Sequence, residues 1–508
     1  MKIDNLLVMS TTPEYILALD LGTTGNRAIL FNRDGNVVSQ AYKELPQYYP
    51  HPGWLEHDGM EIWRDTREMT EKVLIDTDTK FSQVGAIGLT VQRETCLLWD
   101  KTTGKPFHKA IVWQDRRTTS LCNELTKQGK AEEIQEKTGL VLDAYFSATK
   151  LAWLLDWLKT EQPDVNMENV LAGTVDTWVL WNLTGGKVHA TDRSNASRTM
   201  LMNLASGTWD LTLLDLFGIP SHIMPEIKPS MGEFGRTDLD LFGAEIPVTA
   251  IFGDQQAALF AHGCDRPGLL KCTYGTGCFL VAQAGTELTR SQSRLLSTVA
   301  WTTETETKYA LEAAMFTTGA CIQWLRDGLN LIQSAAETEA LARQAGDNNG
   351  VYFVPALSGL GAPHWDMNAR GSFQGITGGV KREHIVRSVL ESIAYQVKEA
   401  VEAMNKDATN PVSLLKVDGG ASKNDFLMQF QADVLGIPVE RPAVQDATAQ
   451  GAAFGAGLAI GFWESYDSVI AKREIDRTFT PGEGQTQAQE GFQVWLRAVE
   501  RAKNWLVD

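Results

Sequence analysis

Apolar residues along this chain follow two periods. Short, nearly continuous apolar runs at 15–19, 27–31, 84–91, 246–252, 352–356 and 414–417 predict buried strands. Over 384–404, Val386, Val389, Leu390, Ile393, Val397, Val401 and Met404 fall on one stripe with Glu and Lys opposite, which predicts an amphipathic helix. The stretch 451–463 is apolar on every side yet too short to span a bilayer. Its Gly and Ala spacing predicts a helix packed very close to a neighbour. Asp34-Gly35 marks a hairpin turn after the second run. About half-way along, Thr273-Tyr-Gly-Thr-Gly277 briefly echoes the first Gly/Thr turn at 20–25. Hairpins followed by strand–helix alternation predict an α/β fold with mixed sheets. The second Gly/Thr turn places the start of another domain near residue 264, giving domains 1–263 and 264–508.

Composition narrows the class. At 508 residues the chain exceeds one hydrophobic core, and 43% hydrophobic with 21% charged residues describes a soluble globular protein. A net charge of −17 argues against nucleic acid or an anionic membrane as the main partner. Six cysteines contain no Cys-x-x-Cys pair and eight histidines no His-Glu-x-x-His, so neither a disulfide framework nor a zinc site is expected. The first 14 residues hold only the apolar run Leu6-Leu-Val-Met9, shorter than a signal-peptide core, and a cytoplasmic location is expected.

Nucleotide-binding chemistry is then sought by exclusion. No Gly-x-x-x-x-Gly-Lys-Ser/Thr loop is present, and no His-Arg-Asp with Asp-Phe-Gly pair marks a protein kinase. A different device remains. Asp20-Leu-Gly22-Thr23-Thr24-Gly25-Asn26-Arg27 joins a carboxylate to a turn rich in backbone N–H groups, with Arg27 adding positive charge. Asp20 is a candidate to hold Mg²⁺ through water; the plainer reading is a hairpin turn with a solvated Asp. Thr273–Gly277 and Val417-Asp-Gly-Gly420-Ala-Ser-Lys-Asn424 end strands in the same style, and three such turns favour nucleotide binding. Asp254, after an apolar strand, is either a helix N-cap or a general base for an attacking hydroxyl. Arg93-Glu94 is either a solvated surface pair or a donor–acceptor pair for polyol hydroxyls. Trp113 and Phe279 read as core or as site walls.

These segments resemble the FGGY family of carbohydrate kinases, in the actin/Hsp70-like ATPase superfamily, and within it the glycerol-phosphorylating members. Pro52-Gly-Trp-Leu-Glu-His57, Gln92-Arg-Glu-Thr95, Val112-Trp-Gln-Asp-Arg-Arg117, Gly173-Thr-Val-Asp-Thr-Trp178 and Ser194-Asn-Ala-Ser-Arg-Thr-Met200 carry the likeness. Gly253-Asp-Gln-Gln256, Thr273-Tyr-Gly-Thr-Gly-Cys-Phe279, Ile322-Gln-Trp-Leu-Arg-Asp327 and Gly359-Leu-Gly-Ala-Pro-His-Trp-Asp366 continue it, and Tyr145-Phe-Ser-Ala-Thr-Lys150 resembles a family signature. The resemblance implies two actin-like (ribonuclease H-like) α/β domains, mixed sheets flanked by helices, and an active site in the cleft between them. By the same resemblance, glycerol is bound by Arg93, Glu94, Trp113, Tyr145, Asp254, Gln255 and Phe279, with Asp254 as base. The nucleotide falls to Thr23, Thr24, Gly25, Arg27, Thr276, Gly319, Gln323, Gly420 and Asn424. Asp20 and Asp254 hold Mg²⁺ with ATP. A dimer or tetramer is implied as well. The alternatives are a family member acting on another polyol or ketose, and a nucleotide-driven binding protein. Some bacterial relatives carry a Gly-Gly-Thr-Arg loop that binds fructose 1,6-bisphosphate; here Leu241-Phe-Gly-Ala-Glu245 has a carboxylate and no Arg. Asp240 stands where other relatives carry a phosphorylatable His, so neither form of regulation is expected.

Overall fold

The computed structural model describes residues 13–443 and 446–506. The apolar run at 6–9 lies outside them. Two sheets organise the chain. The first has six strands in the order Met231–Arg236, Pro247–Gly253, Val84–Val91, Tyr15–Leu21, Gly25–Asn32 and Val37–Glu44. Its three central strands, Pro247–Gly253, Val84–Val91 and Tyr15–Leu21, run parallel, and the flanking pairs are antiparallel. The second sheet has seven strands: Leu296–Thr302, Thr307–Met315, Cys278–Gly285, Leu269–Tyr274, Leu414–Asp418, Val439–Pro442 and Ile475–Phe479. From Thr307–Met315 onward it repeats the strand directions of the first in reverse listing: three antiparallel strands, two parallel strands, an antiparallel edge. The Gly/Thr turns at 22–24 and 275–277 close the equivalent first hairpins. Their likeness in sequence therefore has a topological basis.

Strand bounds follow the apolar runs closely where a strand is buried on both faces. Val84–Val91 matches its run in full, with only Gly85 reaching half-burial. The long helix extends beyond 384–404 to Arg382–Asp407, and the strand at 352 stops at Val354. A four-stranded sheet, Glu56–His57, Ala110–Ile111, Cys96–Asp100 and Val170–Thr174, covers one side of the first.

Helix Ala447–Ala459 crosses back from the second half of the chain to lie on the first sheet. Small residues make that approach possible. A Cβ on Gly88 would sit 2.1 Å from the Ala452 carbonyl oxygen, and one on Gly451 would sit 2.0 Å from the Ala257 carbonyl oxygen. Backbone cannot yield as a side-chain tip does. Gly451→Val is therefore expected to cost about 3 kcal/mol or more, read as a lowered denaturation midpoint. No helix among the described residues is long and apolar enough to cross a membrane.

Candidate active site

The three parallel strands of the first sheet end side by side, with Leu21 opposite Val91 and Val91 opposite Gly253. Ligands of open α/β sheets gather at such carboxyl ends. Here that edge carries Asp20, then Gln92, Arg93 and Glu94, then Asp254, Gln255 and Gln256. Asp20 is buried, and Thr448 from the returning helix donates to its Oδ2 at 2.9 Å. Burial pushes the Asp20 carboxyl up to about 6; Arg27 opposes this, while Asp254 and Asp446 add to it. Asp20 is thus not a solvated turn residue. Arg27 lies 2.5 Å from Asp446, so its charge is shared with that carboxylate.

Arg93 and Glu94 are each 2% exposed, which rules out a surface dipeptide. Glu312, in strand Thr307–Met315 of the second sheet, grips Arg93 with both oxygens, from Nη1 at 2.6 Å and Nη2 at 3.0 Å. Arg198 donates from Nη2 to Glu312 at 3.0 Å and from Nε to Glu94 Oε1 at 2.7 Å. Two arginines and two glutamates so alternate in a closed buried network, each charge paired, as burial demands. Arg93 also donates to Gln256 at 3.2 Å and to the Tyr145 hydroxyl at 3.4 Å, and its Nε lies 3.3 Å from Asp254 Oδ1. Glu94 has φ of 62°, a backbone strain of order 1–3 kcal/mol for a non-glycine residue. Ser147 Oγ holds its carbonyl at 3.0 Å and Arg198 its carboxylate. Glu94 Oε2 has no partner among the described residues and stands ready to accept. Gly253, not Asp254, is the N-cap of helix Asp254–Ala261. A Cβ at Gly253 would fall 2.6 Å from the Arg93 side chain lying across it.

Three rings stand around this group. Trp113 meets Tyr145 and Phe279 edge-on at 5.5 and 6.0 Å, and its indole N–H donates to Thr23 Oγ1 at 2.8 Å. The Gly/Thr turn at 22–25 and the aromatic wall are therefore joined directly. Gln255 accepts from Lys271, a fully buried lysine that also donates to Thr273 Oγ1 at 3.0 Å.

Tyr145 is placed by a device of its own. Lys150, fully buried in helix Ser147–Glu161, donates to the carbonyls of Ala144, Tyr145 and Phe146 at 2.6, 2.6 and 3.1 Å. Burial lowers its pKa to about 8, against the opposing pull of Cys96, Glu94, Asp115 and Asp143. The ammonium has three N–H donors and the neutral amine two, so one carbonyl loses its partner as pH rises through about 8. One lost hydrogen bond of about 1 kcal/mol corresponds to roughly fivefold. The KM for the acceptor should rise about that much between pH 7 and 9, whereas Lys150→Met should start high and stay flat.

At the second sheet's edge the nucleotide candidates meet. The N–H groups of Thr318, Gly319 and Ala320 donate to the carbonyls of Gly275 and Thr276 at 3.0–3.1 Å. A Cβ at Gly319 would lie 2.5 Å from Gly275 O, and one at Gly419, whose φ is +85°, would lie 2.5 Å from Tyr274 O. Thr276 and Gly420 are exposed in these turns, as is Gln323 on the short helix Gly319–Gln323; Thr24 is exposed in the first sheet's turn at 22–25. Gly25 is a glycine for packing, since a Cβ there would meet Tyr42 and the Lys43 carbonyl. Asn424 caps helix Asp425–Leu435 through Leu427 N–H and donates to Thr338.

Sequence reasoning missed Arg198, Glu312, Gln256, Lys150, Lys271 and Thr448. Glu312 and Lys271 each interrupt an apolar run of their strand with a charge, and that was the available signal.

Known proteins resemble this chain along nearly its whole length. The profile of the FGGY family of carbohydrate kinases, N-terminal domain, matches residues 15–261, and that of its C-terminal domain matches 270–460. A glycerol kinase of Rippkaea orientalis is 70% identical over 493 residues, covering 97% of this chain and 99% of that protein. Glycerol kinase 2 of Thermotoga maritima is 52% identical over 492 residues, covering 97% and 99%. Among solved structures, Plasmodium falciparum glycerol kinase with ADP superposes with a TM-score of 0.90 at 34% identity, covering 97% and 98%. A xylulose kinase from Lactobacillus acidophilus, with a TM-score of 0.87 at 23% identity and coverage of 96% and 98%, shares the fold.

Proposed function

Because this chain belongs to the FGGY family of carbohydrate kinases, we propose that it transfers the γ-phosphoryl group of ATP to glycerol, releasing ADP and sn-glycerol 3-phosphate. The observation that carries the reading is the meeting of Arg93, Glu94 and Asp254 with the Tyr145 hydroxyl, whose ring stands edge-on to Trp113 beside Phe279. Buried charged groups beside aromatic rings suit a three-carbon polyol. The rings bury its carbon edge while charged groups read its hydroxyls, and unpaired buried polar groups reject analogues that lack one.

The Nη groups of Arg93 have protein acceptors, but the Nη2 contact to Tyr145 is long at 3.4 Å, and Nε meets Asp254 at 3.3 Å as an ion pair without a hydrogen bond. Those are the contacts a glycerol hydroxyl replaces. Arg93 then donates to substrate, Glu94 Oε2 accepts from it, and Asp254 turns from Arg93 to the attacking hydroxyl, whose proton it takes. Gln255, held by Lys271, accepts or donates beside it. On the nucleotide side we assign Thr23, Thr24, Gly25 and Arg27 from the first sheet's turn, and Thr276, Gly319, Gln323, Gly420 and Asn424 from the second half of the chain. Their N–H and hydroxyl groups cradle phosphates, and positioning supplies most of the rate in phosphoryl transfer. We assign glycerol and phosphate binding to residues 1–263 and nucleotide binding to 264–508, with helix Ala447–Ala459 returning Thr448 to Asp20.

Mg²⁺ fits this donor set. Asp20 and Asp254 repel one another electrostatically, and no group of three or more His, Cys, Asp or Glu among the described residues would hold a metal alone. Two hard oxygen donors with nucleotide phosphates and water are what that ion takes. Bound there, it would neutralise phosphate charge. All six cysteines are free and buried, which supports a reducing, cytoplasmic setting.

The test is a panel of polyols and ketoses with the phosphorylated product identified. Glycerol should give the highest kcat/KM by a wide margin. A preference for a pentulose or a longer polyol would replace this reading with the other family specificity.

A further inference from the structure

We propose that Glu312 and Arg198 are positioning residues for substrate: together they fix the orientation of Arg93 and Glu94, with Glu312 reaching them from the other half of the chain. The inference rests on the assignment of Arg93 and Glu94 to glycerol. An arginine buried without an anchor can rotate about its four side-chain bonds, and a guanidinium reads a hydroxyl only from a fixed plane. Glu312 supplies that plane by taking Nη1 and Nη2 together at 2.6 and 3.0 Å. The bidentate grip occupies the outer face of the fork and leaves the Nε edge turned to Asp254. Arg198 completes the arrangement, with its Nη2 on Glu312 and its Nε on Glu94 Oε1, so that the free Oε2 of Glu94 has one direction. Neither residue is needed to balance a surface charge, for both are fully buried. Burial works against the Glu312 carboxylate, yet Arg198 and Arg93 outweigh it and hold its pKa at about 2, so the anchor stays ionised throughout the working range.

The two ends of this network lie on different elements. Arg93 and Glu94 follow strand Val84–Val91, Arg198 follows the short helix Arg193–Ala196, and Glu312 sits mid-strand in Thr307–Met315. The first three belong to the segment matched by the N-terminal family domain and Glu312 to that matched by the C-terminal one. A shift of one half relative to the other therefore moves the anchor of the substrate-reading arginine. The acceptor site is complete only when both halves are in place.

Four variants separate positioning from mere burial of charge. Glu312→Gln should raise the KM for glycerol at least tenfold, with the KM for ATP within twofold and kcat at saturating glycerol little changed. The double variant Arg198→Met with Glu312→Met removes one charge of each sign. It should recover thermal stability relative to Glu312→Gln while the glycerol KM stays raised. A glycerol KM that is unchanged in Glu312→Gln, or that returns to normal together with stability in the double variant, would overturn the proposal. Should Glu312→Gln not fold, Glu312→Asp carries the same KM comparison, because it keeps the charge and shortens the reach. Glu94→Gln is the control: an unchanged glycerol KM there would sink the site assignment itself, whereas a raised KM there with a normal one in Glu312→Gln sinks only the positioning role.

Discussion

Asp254→Asn is expected to slow phosphoryl transfer by about 10²–10⁴-fold while glycerol and ATP still bind. The substitution keeps the shape of the side chain and its place at the start of helix Asp254–Ala261. What it removes is the lone pair that takes the proton of the attacking hydroxyl. A neutral amide also no longer opposes Asp20, whose carboxyl Asp254 helps to raise. Nucleotide affinity should therefore be held or slightly altered, and the loss should appear in kcat. Single-turnover rates with both substrates saturating make the distinction. A variant that keeps wild-type kcat and loses only KM would show that Asp254 binds without acting as a base.

Arg93→Leu should be the most damaging change on the acceptor side. It removes the donors that glycerol is proposed to use and leaves Glu94, Glu312 and the half-buried Asp254 with only Arg198 and Lys271 to offset their charge. Breaking a buried ionic network by deleting one partner costs about 3–5 kcal/mol, which corresponds to roughly 10²–10⁴-fold if expressed in kcat/KM for glycerol. The effect should be selective. The nucleotide turns at 275–277 and 419–420 are held by main-chain contacts that do not involve Arg93, so ATP binding by the folded variant should persist. Equilibrium binding of each ligand separately checks this.

Much of the fold was legible in the sequence because the central strands are buried on both faces. Val84–Val91 and 414–417 read as nearly continuous apolar runs, and Arg382–Asp407 showed its stripe. The close crossing of helix Ala447–Ala459 was visible in its Gly and Ala spacing, but the sheet it would cross was not. That depends on a contact between Gly88 and Ala452, which no local pattern encodes. The site divides in the same way. Asp20, Arg93, Glu94 and Asp254 end strands, so turn chemistry and charge made them conspicuous. Glu312 and Arg198 did not stand out, because each gains its meaning from a partner more than a hundred residues away in the chain. Lys150 was part of a recognised motif, yet its work is to satisfy three carbonyls just before its own helix, and only the folded backbone reveals that. Arg27 showed the opposite outcome: its charge was evident, but Asp446 shares it.

Glycerol-dependent release of ADP from Mg-ATP tests the central claim most directly. Turnover should be slow with ATP alone and rise steeply on adding glycerol, because the acceptor completes the site formed by Arg93, Glu94 and Asp254. Turnover indifferent to glycerol, or turnover raised only by a larger sugar, would contradict it.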